Sequence, residues 1–358
     1  MKKTKETKKR IMIIGAISYP NRNSSLGGCT VLMENFLNYC QKNKIDFIHI
    51  STNRWEGHLA FLRNFLYLFC RFLIALPRVQ IVMINASYNG AFRVFPILAP
   101  ICKLSGRKIV FRMFAGSYRQ LYEKEPVWSR FIARRALKMA DLVMGETQKV
   151  TAFFRQLLGA EKKIIWFPNV RTGETEIFQR PYRKKFVFIS RILESKGVDL
   201  ILKVMKTLPT DYSCDFYGPI VEKKYNADYF SSSQTAYKGV LAPSQVRETL
   251  LDYDVLLLPT YCTGEGYPGI IIEAMEQGMP AISTWFGGIP EIINDGSNGI
   301  LIPTQDPAAL KDAMQAITSE SYQNLSCNAR QAFLETFDAN TVNTRILKEI
   351  MKTITAEK

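Results

Sequence analysis

The chain has 358 residues, 47% of them apolar and 12% aromatic, enough to build packed cores and, at about 150 residues per domain, to favour two domains. Extended disorder is excluded on the same ground. The net charge of +15 is unevenly spread: residues 1–180 hold 30 Lys and Arg against 11 Asp and Glu, a net of +19, and residues 181–358 hold 17 against 21, a net of −4. A basic half of this kind points to a polyanionic partner, either nucleic acid or an anionic membrane surface. The seven cysteines are scattered and never spaced as Cys-x-x-Cys, so they read as small buried apolar groups in a reducing compartment. Only His49 and His58 are present, which excludes a His-rich metal site and disfavours a His-based catalytic triad.

Along the chain, residues 1–10 are Lys-rich and are followed by about six apolar residues, fewer than the roughly 7 to 15 of a secretion-signal core. Residues 11–16 read as a strand buried on both faces. A polar loop, 18–28, leads to a helix carrying Val31, Leu32, Phe36 and Leu37 at helical spacing. Residues 45–50, 81–85, 108–114, 141–144 and 164–167 are further strands with helical stretches between them, an alternation that predicts a doubly wound parallel sheet. Residues 55–78 mix aromatics and leucines with Arg63, Arg71 and Arg78. Within the most apolar stretch, 59–76, Arg63 and Arg71 would each cost about 2.5 to 3.5 kcal/mol at mid-bilayer. The segment is therefore a poor membrane span, and reads either as a core helix with snorkelling arginines or as an interfacial amphipathic helix.

The polar stretch 171–182 lies where the charge changes sign, and the predicted domains are residues 1–172, a linker at 173–182, residues 183–335, and a C-terminal helix at 336–358 that crosses back to the first domain. In the second half the predicted strands are 186–190, 214–217, 236–240, 255–259 and 281–283. The predicted helices are 198–207, 244–251, 270–277, 289–293 and 307–318. Two such sheets in succession imply a cleft, with ligands at the carboxyl ends of the strands.

The most specific stretch runs from Thr260 to Met279: a buried strand ends at Pro259, a Gly-rich loop holds Glu265, and a helix opens near Pro268 and closes at Gly278. The amides of Gly269, Ile270 and Ile271 at that helix start make an anion site suited to a diphosphate. Glu265 and Glu273, eight positions apart, either complement the helix dipole as solvated charges or accept hydroxyls, one from a ribose and one from a hexose. Arg191 at a strand end and Lys196 five residues on can converge on one oxyanion group, or stand singly as a surface ion pair and a solvated lysine.

These residues, with Gly278-Met279-Pro280 and Gly287-Gly288-Ile289-Pro290-Glu291, resemble the GT4 family of retaining nucleotide-sugar-dependent glycosyltransferases, of the type found in bacterial capsule, O-antigen and exopolysaccharide synthesis. The resemblance is strongest over residues 183–304. It implies an α/β GT-B fold of two Rossmann-like doubly wound parallel-sheet domains. It also implies that Glu273 holds the donor ribose, that Glu265 contacts the transferred sugar, and that Arg191 and Lys196 clamp the diphosphate, with Gly266, Tyr267, Gly269, Ile270 and Ile271 lining the donor. Gly218, Gly239 and Val240 match short turns near the nucleotide base. Gly27 and Gly28 match the loop near the donor phosphate, and Gly116 and Ser117 fall on the acceptor side. Phe114-Ala115-Gly116-Ser117 departs from the family's His-Gly at that strand end, and Asn169 matches its Pro-Asn turn.

The reading is thus a retaining, metal-independent enzyme without cofactor that moves sugar from a nucleotide-sugar, a UDP-sugar favoured over GDP- or ADP-sugar. The expected acceptor is a polyprenyl-diphosphate-linked glycan. The expected location is cytoplasmic, on the inner face of the cell membrane, held there as an anionic surface by the basic domain. Alternatives are a nucleotide-sugar epimerase of the same fold and a nucleic-acid-binding protein. No nucleic-acid partner is expected, because no helix-turn-helix, RRM or zinc motif is present.

Overall fold

The computed structural model describes residues 10–19, 28–114, 116–173 and 180–355. Two compact units divide the chain: Met1–Val170 with Ala339–Lys358, and Arg171–Asp338.

The first unit runs β1 (Ile11–Gly15), α1 (Gly28–Lys42), β2 (Phe47–Ser51), α2 (Ala60–Ala75), β3 (Ile81–Ala86), α3 (Phe95–Leu104), β4 (Lys108–Met113), α4 (Tyr118–Lys124), α5 (Val127–Met139), β5 (Leu142–Gly145), α6 (Gln148–Leu158) and β6 (Ile164–Trp166). The second runs β7 (Lys185–Ile189), α7 (Val198–Met205), β8 (Ser213–Tyr217), β9 (Thr235–Tyr237), α8 (Pro243–Leu250), β10 (Val255–Leu258), α9 (Gly269–Glu276), β11 (Ala281–Thr284), β12 (Gly299–Ile302), α10 (Pro307–Ala316) and α11 (Ser319–Thr336). The last helix, α12 (Ala339–Thr355), belongs to the first unit.

Each unit holds one six-stranded parallel sheet, ordered β2-β1-β3-β4-β5-β6 and β12-β11-β10-β7-β8-β9. Parallel strands covered on both faces read as continuous apolar runs. In β1, Met12 and Ile14 enter one core while Ile11 and Ile13 enter the opposite one, which α1 and α12 cover. This alternation follows from the two-residue period of a strand.

Several expectations shift. The linker predicted at 173–182 is not a free segment where it is described: Arg180 donates to the carbonyls of Leu250, Tyr253 and Gln277, and Tyr182 stacks on Tyr322 at 5.3 Å. Its residues 174–179 lie outside the described residues. The chain changes unit at Val170–Arg171 instead. Residues 289–293, expected as a helix, form only a 3-10 turn over Ile289–Glu291. The strand expected at 236–240 is the shorter β9, and the helix expected at 55–78 begins at Ala60 and ends in a 3-10 turn, Leu76–Arg78. Neither β12 nor α11 was anticipated.

One polar group stands out in the first core. Arg112 on β4 is fully buried, and none of its three guanidinium nitrogens has a hydrogen-bond partner. The guanidinium lies 3.4 Å from the Phe167 ring centroid and 4.5 Å from that of Phe114. Burial pushes its pKa down to about 9, against the opposing pull of Glu146.

Helix α2 has two faces. Leu68, Phe72 and Ala75 enter the core, while Phe61, Leu62, Leu66, Leu73 and Ile74 are exposed. Phe72→Ala is expected to lower the unfolding free energy by about 3 to 5 kcal/mol, and Ile74→Ala, on the exposed face, to change it by no more than about 0.5 kcal/mol. Denaturant titration of the two variants reads this difference directly.

Candidate functional site

In the second sheet the winding reverses between β7 and β10: β8 and β9 lie beyond β7 on one side, β11 and β12 beyond β10 on the other. Loops that leave two adjacent parallel strands in opposite directions open a crevice at the carboxyl ends, the usual ligand position in such sheets. Arg191 and Lys196 follow β7, and the loop carrying Glu265 follows β10.

The two loops are joined. The Tyr261 amide donates to the Ser195 carbonyl at 2.8 Å. Gly197 has φ +87°, and a Cβ there would lie 2.5 Å from the Pro259 carbonyl oxygen, so only glycine admits this approach. Lys196, with 7% of its surface exposed, donates from Nζ to the Glu265 carboxylate, and the Thr260 hydroxyl lies 3.1 Å from the same oxygen. Arg191, between β7 and Lys196, is exposed.

Helix α9 carries the second carboxylate. Its C-terminus closes on Gly278 at φ +64°, with the Gly278 amide bonded to the Met275 carbonyl and the Met279 amide to that of Ala274, a Schellman arrangement. At its start, the Ile271 amide is already spent on the Pro268 carbonyl at 3.1 Å. The predicted three-amide anion site is therefore corrected to two, those of Gly269 and Ile270, which have no helical acceptor. Glu273 lies one turn further on and accepts from Arg171 Nε at 2.6 Å, with Arg171 12% and Glu273 29% exposed at the side chain. The Arg171 amide bonds the Phe337 carbonyl at 3.0 Å.

Tyr267, predicted to line the donor, is instead buried, with its hydroxyl donated to Glu291 at 2.6 Å and its ring edge-on to Phe337. It anchors the loop rather than presenting a side chain. The turn at Gly287 and Gly288 holds the same loop from the other side: the Gly288 amide reaches the Glu265 carbonyl at 3.3 Å, and a Cβ on Gly288 would lie 2.6 Å from the Gly266 carbonyl oxygen.

The turns at Gly218 and Gly239 also meet the loop after β7. The Gly218 amide donates to the Gly239 carbonyl at 2.8 Å, and a Cβ on Gly218, whose φ is +132°, would fall 1.8 Å from the Ser190 carbonyl oxygen. Val240 beside them is exposed. Behind them the Tyr253 hydroxyl donates to Asp215 at 2.7 Å and lies 3.0 Å from that of Tyr217. Burial, then these hydrogen bonds, hold the Tyr253 phenol well above its usual range, so it remains a donor.

The structure therefore gathers Arg191, Lys196, Glu265, Gly266, Gly218 and Gly239 around the loops after β7, β8, β9 and β10, with Glu273, Gly269 and Ile270 on α9. In the first unit Gly28 opens α1 with nothing within 4 Å of a Cβ position, so no contact there demands glycine. Gly116 and Ser117 sit half-buried between β4 and α4. Gly27 and Ala115 lie outside the described residues. Sequence reasoning missed Arg171, whose partner is 102 positions away and which carries no local signal.

The chain does contain one Asp-x-Asp, Asp252-Tyr253-Asp254, which the metal-free reading passed over. Asp254 is fully buried and accepts from the Arg183 and Lys185 amides at 2.7 and 3.0 Å and from the Arg183 guanidinium. It clamps the start of β7, and among the described residues no group of three or more His, Cys, Asp or Glu could hold a metal ion.

Residues 174–332 match the family model described as Glycosyl transferases group 1. The chain is 27% identical over 185 residues to WcaL of Salmonella typhimurium, named as a colanic acid biosynthesis glycosyltransferase, covering 48% of this chain and 45% of that one. It is 24% identical over 246 residues to WcaL of Escherichia coli, covering 64% and 56%. The chain thus spans about half the length of the curated relatives it matches. Among solved structures it resembles Anabaena HepE in complex with UDP, with a TM-score of 0.74 at 14% identity, covering 96% of this chain and 100% of that one. That likeness is one of fold.

Removing Lys196 leaves the buried Glu265 carboxylate without its cation, and breaking such a pair costs about 3 to 5 kcal/mol at full burial. Lys196→Met is expected to lose stability on the order of 3 kcal/mol, and the double variant Lys196→Met/Glu265→Gln to regain most of it. Urea melts of the four proteins in this cycle read the coupling.

Proposed function

We propose, for a chain whose second unit is a glycosyl transferases group 1 domain, that it is a GT4-type retaining glycosyltransferase of surface-polysaccharide synthesis with a nucleotide-sugar donor. The observation that carries this reading is the grouping at the β7–β10 reversal: an exposed guanidinium, a buried ammonium bound to a carboxylate, and two helix-start amides a short distance along the chain. Cations and amide dipoles set beside hydroxyl-accepting carboxylates suit a ligand that joins a diphosphate to sugars.

In this reading Arg191, and the Lys196 N–H groups not given to Glu265, bind the diphosphate and stabilise the negative charge that develops as the bond from the sugar C1 to phosphate breaks. Glu265, oriented by Lys196 and Thr260, accepts from the transferred sugar, and Glu273 accepts the ribose hydroxyls in competition with Arg171. The acceptor oxygen bonds to C1 on the face the phosphate leaves, and the departing phosphate oxygen takes the acceptor's proton. All charge stabilisation comes from side chains and backbone, so the reaction proceeds without a metal. UDP is the favoured nucleotide; the HepE structure holds UDP, and the relatives are named for polysaccharide synthesis.

The acceptor is a lipid-linked glycan, and the basic unit meets an anionic cytoplasmic membrane face. By structural unit the asymmetry is sharper than by halves: the first unit holds 32 Lys and Arg against 11 Asp and Glu, the second 15 against 21. Basic residues close to an anionic bilayer contribute about 1 kcal/mol each. Among the described residues one helix, Ala60–Arg78, is long and apolar enough to cross a membrane. Its Leu68, Phe72 and Ala75 are held in the sheet core, which favours lying on the surface over spanning it.

Thermal shift with a panel of UDP-, GDP- and ADP-sugars is expected to raise the melting temperature with a UDP-sugar. Arg191→Ala and Glu273→Gln are expected to lower transfer at least a hundredfold (about 2.7 kcal/mol) with the fold intact, with turnover unchanged by a chelator and the anomeric configuration kept in the product by NMR. Wild-type turnover in either variant would remove the assignment. An epimer formed from donor alone would select the isomerase reading.

A further inference from the structure

After β11 the chain passes through Trp285 and Phe286 into the Gly287–Gly288 turn, which packs on the backbone of Glu265 and Gly266. The backbone there is fixed on both sides. The Trp285 amide donates to the Ile302 carbonyl at 3.1 Å, the Phe286 amide donates to the Thr284 carbonyl at 2.7 Å, and the Thr284 hydroxyl donates to the Thr260 carbonyl. From this frame the Trp285 indole stands out, 56% exposed. It forms one wall of a hollow of about 340 Å³ whose lining includes Pro290, Glu291, Asn294 and Asp295.

A lone exposed tryptophan is ordinary; this one faces polar groups across a concave surface. The indole supplies a flat apolar face and one N–H donor. Opposite it, Asp295 accepts from the Leu301 amide at 2.8 Å through Oδ1, and Glu291 accepts from the Tyr267 hydroxyl at 2.6 Å through Oε2. A carboxylate bound in this way keeps lone pairs for other donors. The Asn294 side chain, exposed at the same wall, adds an amide. A ring with a face of C–H bonds and a rim of hydroxyls matches both halves, the face lying on the indole and the hydroxyls donating to carboxylate and amide oxygens. A pyranose has that form.

We propose that this hollow binds an uncharged pyranose ring of a saccharide, stacked on Trp285 and hydrogen-bonded to Asp295 and Asn294. Two observations select this occupant. The second unit holds 15 Lys and Arg against 21 Asp and Glu, and the hollow's described lining has two carboxylates and no cation, so a phosphorylated or uronic acid ring is repelled. Trp285 is also the one large apolar side chain exposed there, since Ile292 and Ile293 are buried. A protein partner covers about 800 Å² on each side, whereas one indole matches one ring. Glu291 also holds Tyr267, which anchors the Glu265 loop, so a ring seated here is one side chain away from that loop. The inference rests on the polysaccharide reading above for the source of the ring. It adds a saccharide contact made by residues other than Glu265 and Glu273.

The test uses the full chain with neutral trisaccharides of glucose, galactose and mannose, and with trigalacturonic acid as the acidic comparison, read by saturation-transfer NMR on the sugar protons. Saturable binding in the millimolar range is expected for at least one neutral probe, with transfer strongest to the C–H protons of one ring face, and none for the acidic probe. Trp285→Ala is expected to weaken binding about tenfold, the loss of one ring contact, and Asn294→Ala to weaken it several-fold. Both substitutions fall on exposed side chains and are expected to leave the melting temperature and the UDP-sugar thermal shift unchanged. Binding of no neutral probe, equal binding by the wild type and either variant, or tighter binding of the acidic probe overturns the inference. A UDP-sugar shift without saccharide binding overturns it alone; saccharide binding that depends on Trp285, with no shift by any nucleotide-sugar, would instead overturn the transferase reading alone.

Discussion

Contact between Lys196 and Glu265 is the constraint on which the rest of the site depends. Two oppositely charged groups, each about nine-tenths buried, persist only in company, because either alone would carry an uncompensated desolvation cost. Their pairing fixes the loop after β7 to the loop after β10, and the backbone approaches at Gly197–Pro259 and Gly288–Gly266 are close enough that no side chain fits between. With these contacts made, the start of α9 and the position of Glu273 follow from chain connectivity. The loops after β7 and β10 are thus joined by backbone proximity and this ion pair, with Arg191 exposed beside them.

Glu265 and Glu273 are each bound to a cation in the free chain, the first by Lys196 and the second by Arg171. The two pairs differ in consequence. Lys196 keeps N–H groups for a second acceptor while bound to Glu265, so under the proposed function a diphosphate joins that pair without breaking it. Arg171 approaches Glu273 through Nε and is mostly buried, so under the proposed function the ribose hydroxyls share the carboxylate with it. Arg171 is also the first residue of the second unit and bonds Phe337 near that unit's end.

Much of the fold was legible because parallel strands buried on both faces leave uninterrupted apolar runs, as in β1 and β10. The site residues were legible because the loop after β10 is written in consecutive residues. What escaped depended on distance or on tertiary packing. Arg171 meets Glu273 across 102 positions, and nothing local marks it. Tyr267 sits in the motif, yet the nearby Glu291 takes its hydroxyl. The 173–182 stretch is polar like a linker, but the carbonyls it needs lie on α8, on Tyr253 and just past α9, and Arg180 gathers all three. Residues 289–293 read as a helix from their isoleucines, but only Ile289–Glu291 wind, as one 3-10 turn.

Charge and apolar exposure fall on the same unit, and the two act over different ranges. A net excess of basic residues attracts an anionic surface over about a Debye length, roughly 8 to 10 Å at ordinary salt, but cannot choose an orientation. Apolar side chains act only at contact. On the first unit the exposed faces of α2, α3 and α5 carry Phe61, Leu66, Ile97, Trp128 and Phe131, and under the membrane-surface reading proposed above these select which face is presented. Arg112 adds little to that attraction, because its charge is buried among Phe114, Phe167 and the first core rather than displayed. Its cost is present in full at neutral pH and falls only as pH rises past about 9, since burial lowers the pKa of a base by disfavouring its charged form. The same element, basic side chains on an apolar frame, thus serves as a surface signal where arginines reach solvent and as a standing expense inside the sheet.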